Sequence, residues 1–384
     1  MNNNTNLKYY LPVFMSFYIM GFVDIVGVAT GYVQKDFGLS DSVAQILPMM
    51  VFIWFALMAI PTGIFQDRKG KKITVNIGII LTGVGMLIPF LHYTYTTVLI
   101  GFALLGIANT IIQVSANPLL IDISSKGNKA ANLTLSQFIK AIASMLGPII
   151  TAALARYTGD WKLIFPIYAV ISVFGFIWLN SIKIEKTHEE KSPATLKTVF
   201  NLLKNPFILV MIFAMFLIVG FDVSMNSNIA RFLTTSFSVD IDTASIGISV
   251  YFASLMTGRL SGSFLLRVIK PNIFLVVSTI ITLIGLLGLT IASNFNIALI
   301  MILIAGLGFS NIFPILFAII VENKPQYANE LSGLIIFAVS GGAIIPPIMG
   351  MIRQNFGVTA SIFVLIACIL YVSYASYRVI TKKN

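Results

Sequence analysis

Twelve long apolar segments constrain the fold of this chain more than any other feature. A helix needs about 20 mostly apolar residues to cross the hydrocarbon of a bilayer. Such segments occupy 9–32, 43–65, 73–94, 97–121, 133–155, 161–182, 206–231, 244–266, 271–292, 296–321, 331–352 and 358–378. Their apolar residues are continuous and do not alternate, which favours helices over a transmembrane barrel. The sequence therefore predicts an all-α polytopic membrane protein with twelve transmembrane helices.

The composition excludes a water-soluble fold. Of the 384 residues, 57% are hydrophobic and 10% are charged, whereas soluble domains carry about 25% charged residues. The N-terminus, MNNNTNLKYY, lacks the apolar core and cleavage site of a signal peptide, so we expect the first helix to be retained. The single cysteine, Cys368, excludes a disulfide framework.

The basic residues predict the orientation in the membrane. If both termini are cytoplasmic, the outer loops hold only Lys35, Arg156, Lys162 and Arg353, and three more basic residues lie inside predicted spans. The remaining eighteen of the 25 Lys and Arg residues then face the cytoplasm, as the positive-inside rule requires. This asymmetry accounts for the net charge of +11 without nucleic acid. We expect an integral protein of a bacterial inner (cytoplasmic) membrane, with both termini cytoplasmic.

One long hydrophilic stretch divides the predicted helices six from six. Residues 183–204 form this linker, which gives an N-terminal half at 1–182 and a C-terminal half at 205–384. The stretch is expected to be a solvated cytoplasmic linker. Its end, LKTVFNLLK, has the pattern of an amphipathic helix that lies on a membrane surface.

The two halves contain a weak internal repeat. Gly21-Phe22 matches Gly220-Phe221 at an offset of 199, and the same offset relates Pro148 to Pro347. Gly106 matches Gly306 at an offset of 200. Matches in register on several helix pairs predict two pseudo-symmetric six-helix halves.

A motif joins the second and third spans. It reads Gly63-Ile-Phe-Gln-Asp67-Arg68-Lys69-Gly70-Lys-Lys, and it resembles the G-x-x-x-D-R-x-G-R/K-R/K signature of the major facilitator superfamily. The second-half copy keeps Gly262 and Arg267 but has Leu266 in place of the acid. The alternative interpretation is a generic basic loop.

The resemblance implies the major facilitator fold and alternating access, with substrate bound near the midplane between the halves. It also implies a gating role for the motif, since an acid that pairs on one side only biases a two-state equilibrium. The residues expected to take part in gating are Gly63, Asp67, Arg68, Gly70, Arg259 and Arg267. Helix packing is an alternative role for Arg259.

Within this superfamily, residues 14–150 resemble the fucose–proton symporter family of sugar porters. The resemblance rests on Gly21-Phe-Val-Asp24, on Gln113-Val-Ser-Ala-Asn117-Pro and on Asn132-Leu-Thr-Leu-Ser-Gln137. The chain departs from the family at three functional positions. Gln113 replaces a glutamate, Lys140 replaces an asparagine, and the family's first-span aspartate aligns near Gly27, one helical turn past Asp24. The branch therefore implies sugar transport but leaves substrate and coupling open.

Ionisable residues inside membrane spans are costly, so each is a candidate for function. Asp24, Lys140 and Asp222 are the predicted proton-coupling residues, because an acid whose pKa is raised by desolvation can bind and release a proton. The alternative for Asp24 is a structural ion pair with Lys140. The two roles are compatible, since a pair that opens on protonation is a switch.

Sugars require hydrogen-bonding groups beside a flat apolar face. The residues predicted to bind substrate are Trp54, Gln113, Asn117, Gln137, Lys140, Asn226, Tyr251 and Asn311. Each amide has an alternative role as interhelical hydrogen-bonding glue.

The leading functional hypothesis is symport of a small polar solute, a monosaccharide, with protons. Two alternatives remain: a proton-coupled antiporter of drugs or metabolites, and a carrier of an anionic solute that Lys140 would bind. With two histidines and one cysteine, the chain lacks the residues for a metal site or a nucleophilic centre, so we expect no enzyme, no metal and no cofactor. A channel is disfavoured by the repeat and the missing filter sequence. By analogy with the fold, we expect a monomer.

Overall fold

The computed structural model describes residues 3–44, 46–125, 127–184 and 194–381, and these form helices without a single strand. Within these ranges, 11 helical segments are long and apolar enough to cross a membrane. The helix Ile241–Leu265, of 25 residues, brings the number of membrane helices to twelve, and its mean hydropathy is lower because of Arg259 and the serines and glycines around it. The predicted all-α class with twelve transmembrane helices is confirmed.

The first six membrane helices each follow the preceding one through a short connection. The first helix is interrupted and comprises Asn3–Met20, a 3₁₀ segment at Gly21–Ile25, and Val26–Phe37. After the short helix Asp41–Ala44, the second to sixth are Ile46–Lys69, Lys71–Leu91, Tyr95–Ile123, Lys129–Thr158 and Ile164–Ser181, the last preceded by a 3₁₀ turn at Trp161–Leu163.

The second group of six begins after the short helix Leu196–Leu203, which lies within the predicted linker. The seventh to ninth membrane helices are Pro206–Phe237, Ile241–Leu265 and Pro271–Thr290. The tenth is broken into Phe295–Phe309 and Ile312–Asn323, and the eleventh into Pro325–Tyr327, Ala328–Phe337, Ala338–Ser340 and Gly341–Phe356. The twelfth is Val358–Thr381.

Local sequence sets where several helices begin. Asn205 caps the seventh helix by accepting from the Phe207 N–H at 3.0 Å, and Pro206 follows at the first helical position. The Asp240 carboxylate accepts from the Thr243 N–H at 2.6 Å at the start of the eighth helix. Each cap satisfies backbone N–H groups that the helix itself leaves without a partner.

Several predicted helix ends differ from the observed ones. The first helix continues to Phe37 instead of ending at 32, and the third ends at Leu91 instead of 94. The eleventh helix begins before the predicted 331, because Asn329 and Glu330 are helical and Glu330 is 1% exposed. These polar residues face other helices and not lipid, so hydropathy excluded them.

The chain divides into two compact units that differ from a single cut of the sequence. Unit 1 comprises Met1–Ser125, Ser136–Val199 and Lys324–Phe337, and unit 2 comprises Lys126–Leu135, Phe200–Asn323 and Ala338–Asn384. The boundaries at 1–182, 183–204 and 205–384 stay a prediction. Of the loop lysines behind the predicted orientation, Lys126, Lys186, Lys191, Lys382 and Lys383 lie outside the described residues.

The internal repeat is visible in how matched glycines pack. In unit 1, a Cβ added to Gly21 would press on the fifth helix, 2.7 Å from the Ala143 Cβ. In unit 2, a Cβ at Gly220 would press on the eleventh helix, 2.9 Å from the Gly341 oxygen. Each glycine therefore lets the first helix of its half approach the fifth helix of that half.

An aromatic cluster ties helix ends together in unit 1. Asp36, at the end of the first helix, accepts hydrogen bonds from the Tyr93 hydroxyl at 2.7 Å and the Trp161 indole at 2.9 Å. The Lys162 ammonium lies 4.9 Å from the centre of the Tyr93 ring. Burial, and next the hydrogen bond to Asp36, raise the pKa of Tyr93 above its ordinary value of 10.0.

Candidate functional site

Asp24 lies in the 3₁₀ segment that interrupts the first membrane helix. The other four residues of this segment are buried, whereas Asp24 is exposed. The Asn109 amide, from the fourth helix, donates to the Met20 carbonyl at 2.6 Å. A 3₁₀ stretch inside an α-helix often marks a hinge, and here the hinge carries the first predicted coupling acid.

The fifth helix supplies the hydroxyl that binds Asp24. Because Gly21 has no side chain, the first helix approaches the fifth closely enough for Ser144 to donate a hydrogen bond to the Asp24 carboxylate. The Ser144 hydroxyl also lies 3.0 Å from the Lys140 carbonyl. A hydroxyl has one proton to donate, so Ser144 has two competing acceptors, one of which can be neutralised by protonation.

A row of buried amides follows one face of the fourth helix in unit 1. Gln113 donates to the Asn109 carbonyl oxygen at 2.7 Å, and Asn117 donates to the Gln113 backbone carbonyl at 2.7 Å. The Asn117 side-chain oxygen is buried and accepts no hydrogen bond from the described residues. The structure thus brings two predicted binding residues together and adds Asn109, which places the row beside the hinge.

Two further predicted binding residues of unit 1 are not joined to this row by hydrogen bonds between described residues. Gln137 is 8% exposed on the fifth helix. Trp54 is half-buried on the second helix, and its indole nitrogen is buried without an acceptor in the described part of the chain. A buried donor without a partner is costly, so the Trp54 nitrogen is available to a ligand.

The acid of unit 2 is held by a tyrosine. The Tyr251 hydroxyl donates to the Asp222 carboxylate at 2.7 Å, and Tyr251 has no exposed surface. Its ring is therefore covered by protein here and does not present an open stacking face. Asn226, one turn after Asp222 on the seventh helix, is exposed.

Arg259 binds at the break in the tenth helix. Pro314 has no N–H to bond the Ser310 carbonyl four residues earlier, and the Arg259 Nε atom lies 3.4 Å from that carbonyl oxygen. The Asn311 amide donates to the Gly258 carbonyl at 2.8 Å, and its side-chain oxygen accepts no bond from the described residues. Gly258 permits this close approach, because a Cβ there would collide with Ser310.

The fourth helix contains an equivalent proline gap. Pro118 leaves the Val114 carbonyl without its helical N–H, and the Gln66 amide lies 3.4 Å from that oxygen. In each unit, a side chain of the second or eighth helix therefore contacts a carbonyl that a proline has freed in the fourth or tenth.

The signature acid is held by two donors within unit 1. Asn329 donates to one Asp67 oxygen at 2.6 Å, and the Ala194 N–H donates to the other at 2.8 Å. A Cβ at Gly63 would lie 2.8 Å from the Asn329 carbonyl oxygen, so this glycine makes room for the segment that bears Asn329. Gly70 has a φ of 94°, which favours glycine.

The basic residues of the signature have different surroundings. The Lys71 ammonium lies 2.6 Å from the Asp122 carboxylate, and the Lys72 ammonium donates to the Ile182 carbonyl at 2.6 Å, at the C-terminus of the sixth helix. Cations at helix C-termini stabilise the final carbonyls. Arg68, by contrast, is exposed, as is Arg267 in the second copy of the motif.

Sequence analysis missed several residues that complete these contacts. Asn109 precedes Gln113 by four residues, so the i, i+4 spacing along the fourth helix was a usable signal. Ser144 and Asn329 gave no such signal, because their partners are distant in sequence. Among the described residues, no group of three or more His, Cys, Asp or Glu could hold a metal ion.

Comparison with known proteins agrees with this architecture. Residues 12–347 match the family described as the Major Facilitator Superfamily. A glucose/galactose transporter of Brucella abortus is 24% identical over 385 residues, which covers 96% of this chain and 92% of the relative.

Solved structures share the fold. The superfamily transporter FucP in the outward conformation superposes with a TM-score of 0.84 at 17% identity, covering 97% of this chain and 99% of FucP. A second structure, of the E. coli fucose:proton symporter FucP, gives a TM-score of 0.82 at 14% identity, covering 96% and 98%. At these identities the likeness shows the fold alone.

Proposed function

Because this chain belongs to the Major Facilitator Superfamily and is a transporter, not an enzyme, we propose that it carries a monosaccharide together with protons by alternating access. The relative named a glucose/galactose transporter supports a sugar as substrate, since it matches nearly the whole chain. The fold shared with a fucose:proton symporter supports proton coupling. We place the protein in a bacterial inner membrane as a monomer, with both termini cytoplasmic.

The contact between Asp24 and Ser144 carries the coupling proposal. The ionised Asp24 carboxylate accepts a hydrogen bond from the Ser144 hydroxyl, and this bond holds the 3₁₀ segment of the first helix against the fifth helix. Protonation removes the charge that strengthens this bond, and the Ser144 hydroxyl is then free to turn to the Lys140 carbonyl, 3.0 Å away. Proton binding thereby alters the packing of the hinge. Lys140, one turn before Ser144 on the fifth helix, is the third proposed coupling residue.

Asp222 is the corresponding candidate in unit 2. Its carboxylate accepts a hydrogen bond from the Tyr251 hydroxyl. Asp222 is therefore the second coupling residue, and Tyr251 acts on substrate through this acid.

Sugar hydroxyls both donate and accept hydrogen bonds, so they can bind a buried side-chain oxygen or nitrogen that has no hydrogen-bond partner among the described residues. The Asn117 and Asn311 side-chain oxygens are acceptors of this kind, and the Trp54 nitrogen is a donor. In unit 1, Gln113 and Gln137 are further proposed substrate contacts, and the Trp54 ring supplies an apolar face. In unit 2, Asn226 is a further proposed substrate contact.

Gating rests on Asp67. Its hydrogen bond to Asn329 joins the second helix to the start of the eleventh, and Gly63 provides the space. We propose that this contact forms in one transport state and breaks in the other, while Arg68 and Arg267 stay at the membrane surface. Arg259 gates by holding the Ser310 carbonyl at the break of the tenth helix.

The function is tested in liposomes that enclose a pH-sensitive dye. Fucose, glucose, galactose and an amino sugar are added to wild type, Asp24→Asn, Ser144→Ala and the control Ser181→Ala. The Ser181 hydroxyl donates to the Trp178 carbonyl in its own helix, and the described residues offer it no second hydrogen bond. The proposal expects sugar-dependent acidification in wild type and the control, none in Asp24→Asn and a reduced rate in Ser144→Ala. Failure of every sugar in wild type would refute the substrate class.

A second candidate, carriage of an anionic solute, is favoured by Lys140 alone. This half-buried cation lies one turn from Ser144 on the fifth helix, where it could bind a carboxylate or phosphate. Uptake of a labelled organic acid that is lost in Lys140→Gln, without a response to sugars, would replace the sugar proposal. An exchange of drugs or metabolites against protons would instead acidify the lumen only when the compound leaves it.

A further inference from the structure

The helix Leu196–Leu203 has two different edges. Val199 and Leu202 are buried, at 1% and 4% exposure, and anchor the helix to the protein. Leu196 and Phe200 are large and apolar, yet they are 56% and 61% exposed. Residues four apart share a helix face, so these two side chains form one exposed apolar edge.

Basic residues lie beside this apolar edge. Lys197 and Lys204 are seven residues apart and are both exposed, which places them on one side, next to Leu196 and Phe200 at 100° per residue. Residues 194–205 include no acid. An apolar strip bordered by lysines is the pattern of a helix that lies in the interface of an anionic membrane.

The connection to the seventh helix keeps this edge near the bilayer. The Lys204 and Asn205 N–H groups donate to the Asn201 and Leu202 carbonyls at 3.2 and 3.0 Å, which makes a hydrogen-bonded turn. Pro206 follows at once and begins a membrane helix of 32 residues. The short helix therefore lies within a turn of a membrane-spanning segment.

The start of the same helix is tied to the signature acid. Ala194 is fully buried, and its N–H donates to Asp67 at 2.8 Å. Thr195 caps the helix, since the Thr198 N–H donates to its hydroxyl at 3.2 Å and the Thr195 N–H donates to Thr198 at 3.0 Å. The other Asp67 oxygen accepts from Asn329, so Asp67 connects the linker to the eleventh helix.

We infer that the edge formed by Leu196, Phe200, Lys197 and Lys204 docks on an anionic lipid surface, and that this docking holds the Ala194–Asp67 hydrogen bond in place. The lipid thereby stabilises the state in which Asp67 also binds Asn329. The link to gating rests on the proposed function, whereas the docking does not. The occupant is a lipid surface because the edge is basic, apolar and adjacent to a membrane helix.

Docking is measured by site-directed fluorescence in nanodiscs. In a Cys368→Ala background, a bimane label is placed at Phe200→Cys and, as the control, at Asn201→Cys, which is exposed on the far side of the basic edge. In discs containing phosphatidylglycerol, we expect brominated acyl chains to quench the label at position 200 and to spare the label at 201. The quenching is measured over a series of phosphatidylglycerol contents to obtain the affinity for anionic lipid. Lys197→Gln and Lys204→Gln should each lower this affinity roughly fivefold.

The alternatives give different results. Solvent-like emission at position 200 without quenching overturns the proposal, as does equal quenching in purely zwitterionic discs. A blue shift without lipid quenching shows that a protein surface, such as a second copy of the chain, covers the edge, and it also overturns the proposal.

The tie to Asp67 is tested by hydrogen exchange. Exchange of the 194–204 backbone should slow by about tenfold in anionic relative to zwitterionic discs, because docking suppresses local opening. Ala194→Pro removes the donating N–H and should abolish the difference, whereas Ala194→Gly keeps the N–H and should retain it. Equal exchange in both lipids in wild type refutes the coupling. These readouts are made in Asp24→Asn as well, so that failure of transport leaves them interpretable.

Discussion

Gly21 and the Lys140 carbonyl are so close that a Cβ on Gly21 would lie 2.6 Å from the oxygen. This approach of the first helix to the fifth is what brings Asp24 to Ser144. The importance of this close approach for stability can be tested by comparing two single substitutions in the first helix, one at Gly21 and one at Gly27.

Gly21→Ala should lower the stability of the detergent-solubilised protein. Adding a methyl group to such a tight contact costs about 1–3 kcal/mol, because the first helix must move away from the fifth. Gly27→Ala is the matched control, since a Cβ there meets no atom within 4 Å. Thermal unfolding followed by a thiol-reactive dye at buried Cys368 compares the two. An unchanged melting temperature for Gly21→Ala would contradict the observed packing.

Asn109→Leu should uncouple proton movement from sugar uptake. The substitution leaves the Met20 carbonyl without its 2.6 Å donor, which costs about 1–3 kcal/mol for a buried group, and it frees the hinge that carries Asp24. We expect acidification to fall more than sugar counterflow in the same liposomes. Asn76→Leu, which breaks a 3.1 Å bond to Asn180 away from the hinge, controls for loss of a buried amide. Equal loss in both assays would assign Asn109 a purely structural role.

Pro314→Ala should weaken the contact of Arg259 with the tenth helix. Alanine restores the N–H that can bond the Ser310 carbonyl, so the Arg259 guanidinium must compete with this N–H for that oxygen. Transport should fall by about tenfold if Arg259 gates, because a contact to a charged donor contributes about 1.5–3 kcal/mol. The double variant Pro314→Ala/Arg259→Gln should be no slower than Arg259→Gln alone. Additive losses would show that the proline and the arginine act separately.

Asn329→Leu should remove one of the two donors to Asp67 and bias the transporter away from the state described here. The accessibility of a cysteine introduced at Gly333 reports this bias, since Gly333 packs against Ala59 and Gly63. The comparison protein is the double variant Asn329→Asp/Asp67→Asn, in which position 67 donates a hydrogen bond to position 329 and the donor and acceptor are exchanged. We expect the introduced cysteine to be labelled faster in Asn329→Leu than in this double variant. Identical labelling in the two variants would exclude the hydrogen bond as a latch.

The aromatic cluster gives a prediction on pH. The pKa of Tyr93 is raised above 10.0 in the folded chain. The protonated Tyr93 hydroxyl therefore contributes its full stabilisation to the folded state below the unfolded pKa of about 10. This stabilisation is lost progressively as the pH rises from about 10 through the higher folded value, because the unfolded chain loses the Tyr93 proton first. Stability should therefore decline above pH 10 in wild type and decline less in Tyr93→Phe. Thermal melts between pH 8 and about pH 11 measure this, and parallel curves for both proteins would refute it.

Sequence patterns identified the helices because lipid imposes a strong and continuous requirement on them. The same reasoning failed at Glu330, where polar residues pack against protein and hydropathy carries no information. Signature residues such as Gly63, Asp67 and Gly70 could be named because the segment that holds them resembles the superfamily signature. Their partners, Asn329 and Ala194, depend on which segments meet in space and were not recoverable.

Candidate binding residues were only partly predictable for the same reason. A polar amide is easily recognised within an apolar segment of the sequence, so Gln113 and Asn117 could be predicted as candidate binding residues. Whether such an amide has a free atom depends on the neighbouring helix, as for the Asn117 oxygen. Tyr251 illustrates the difference, because its sequence position allowed an open ring and the structure has it covered.

The 3₁₀ segment Gly21–Ile25 is longer than an α-helical segment of the same number of residues would be. A 3₁₀ helix rises about 2.0 Å per residue against about 1.5 Å in an α-helix, and it turns about 120° instead of about 100°. If these five residues rewound as α-helix, the outer part of the first helix would draw in by about 2.5 Å and rotate by about 100° relative to the inner part. Such a change would rotate Asp24 together with the outer part of the first helix, and this rotation is the movement that the proposed protonation of Asp24 would control.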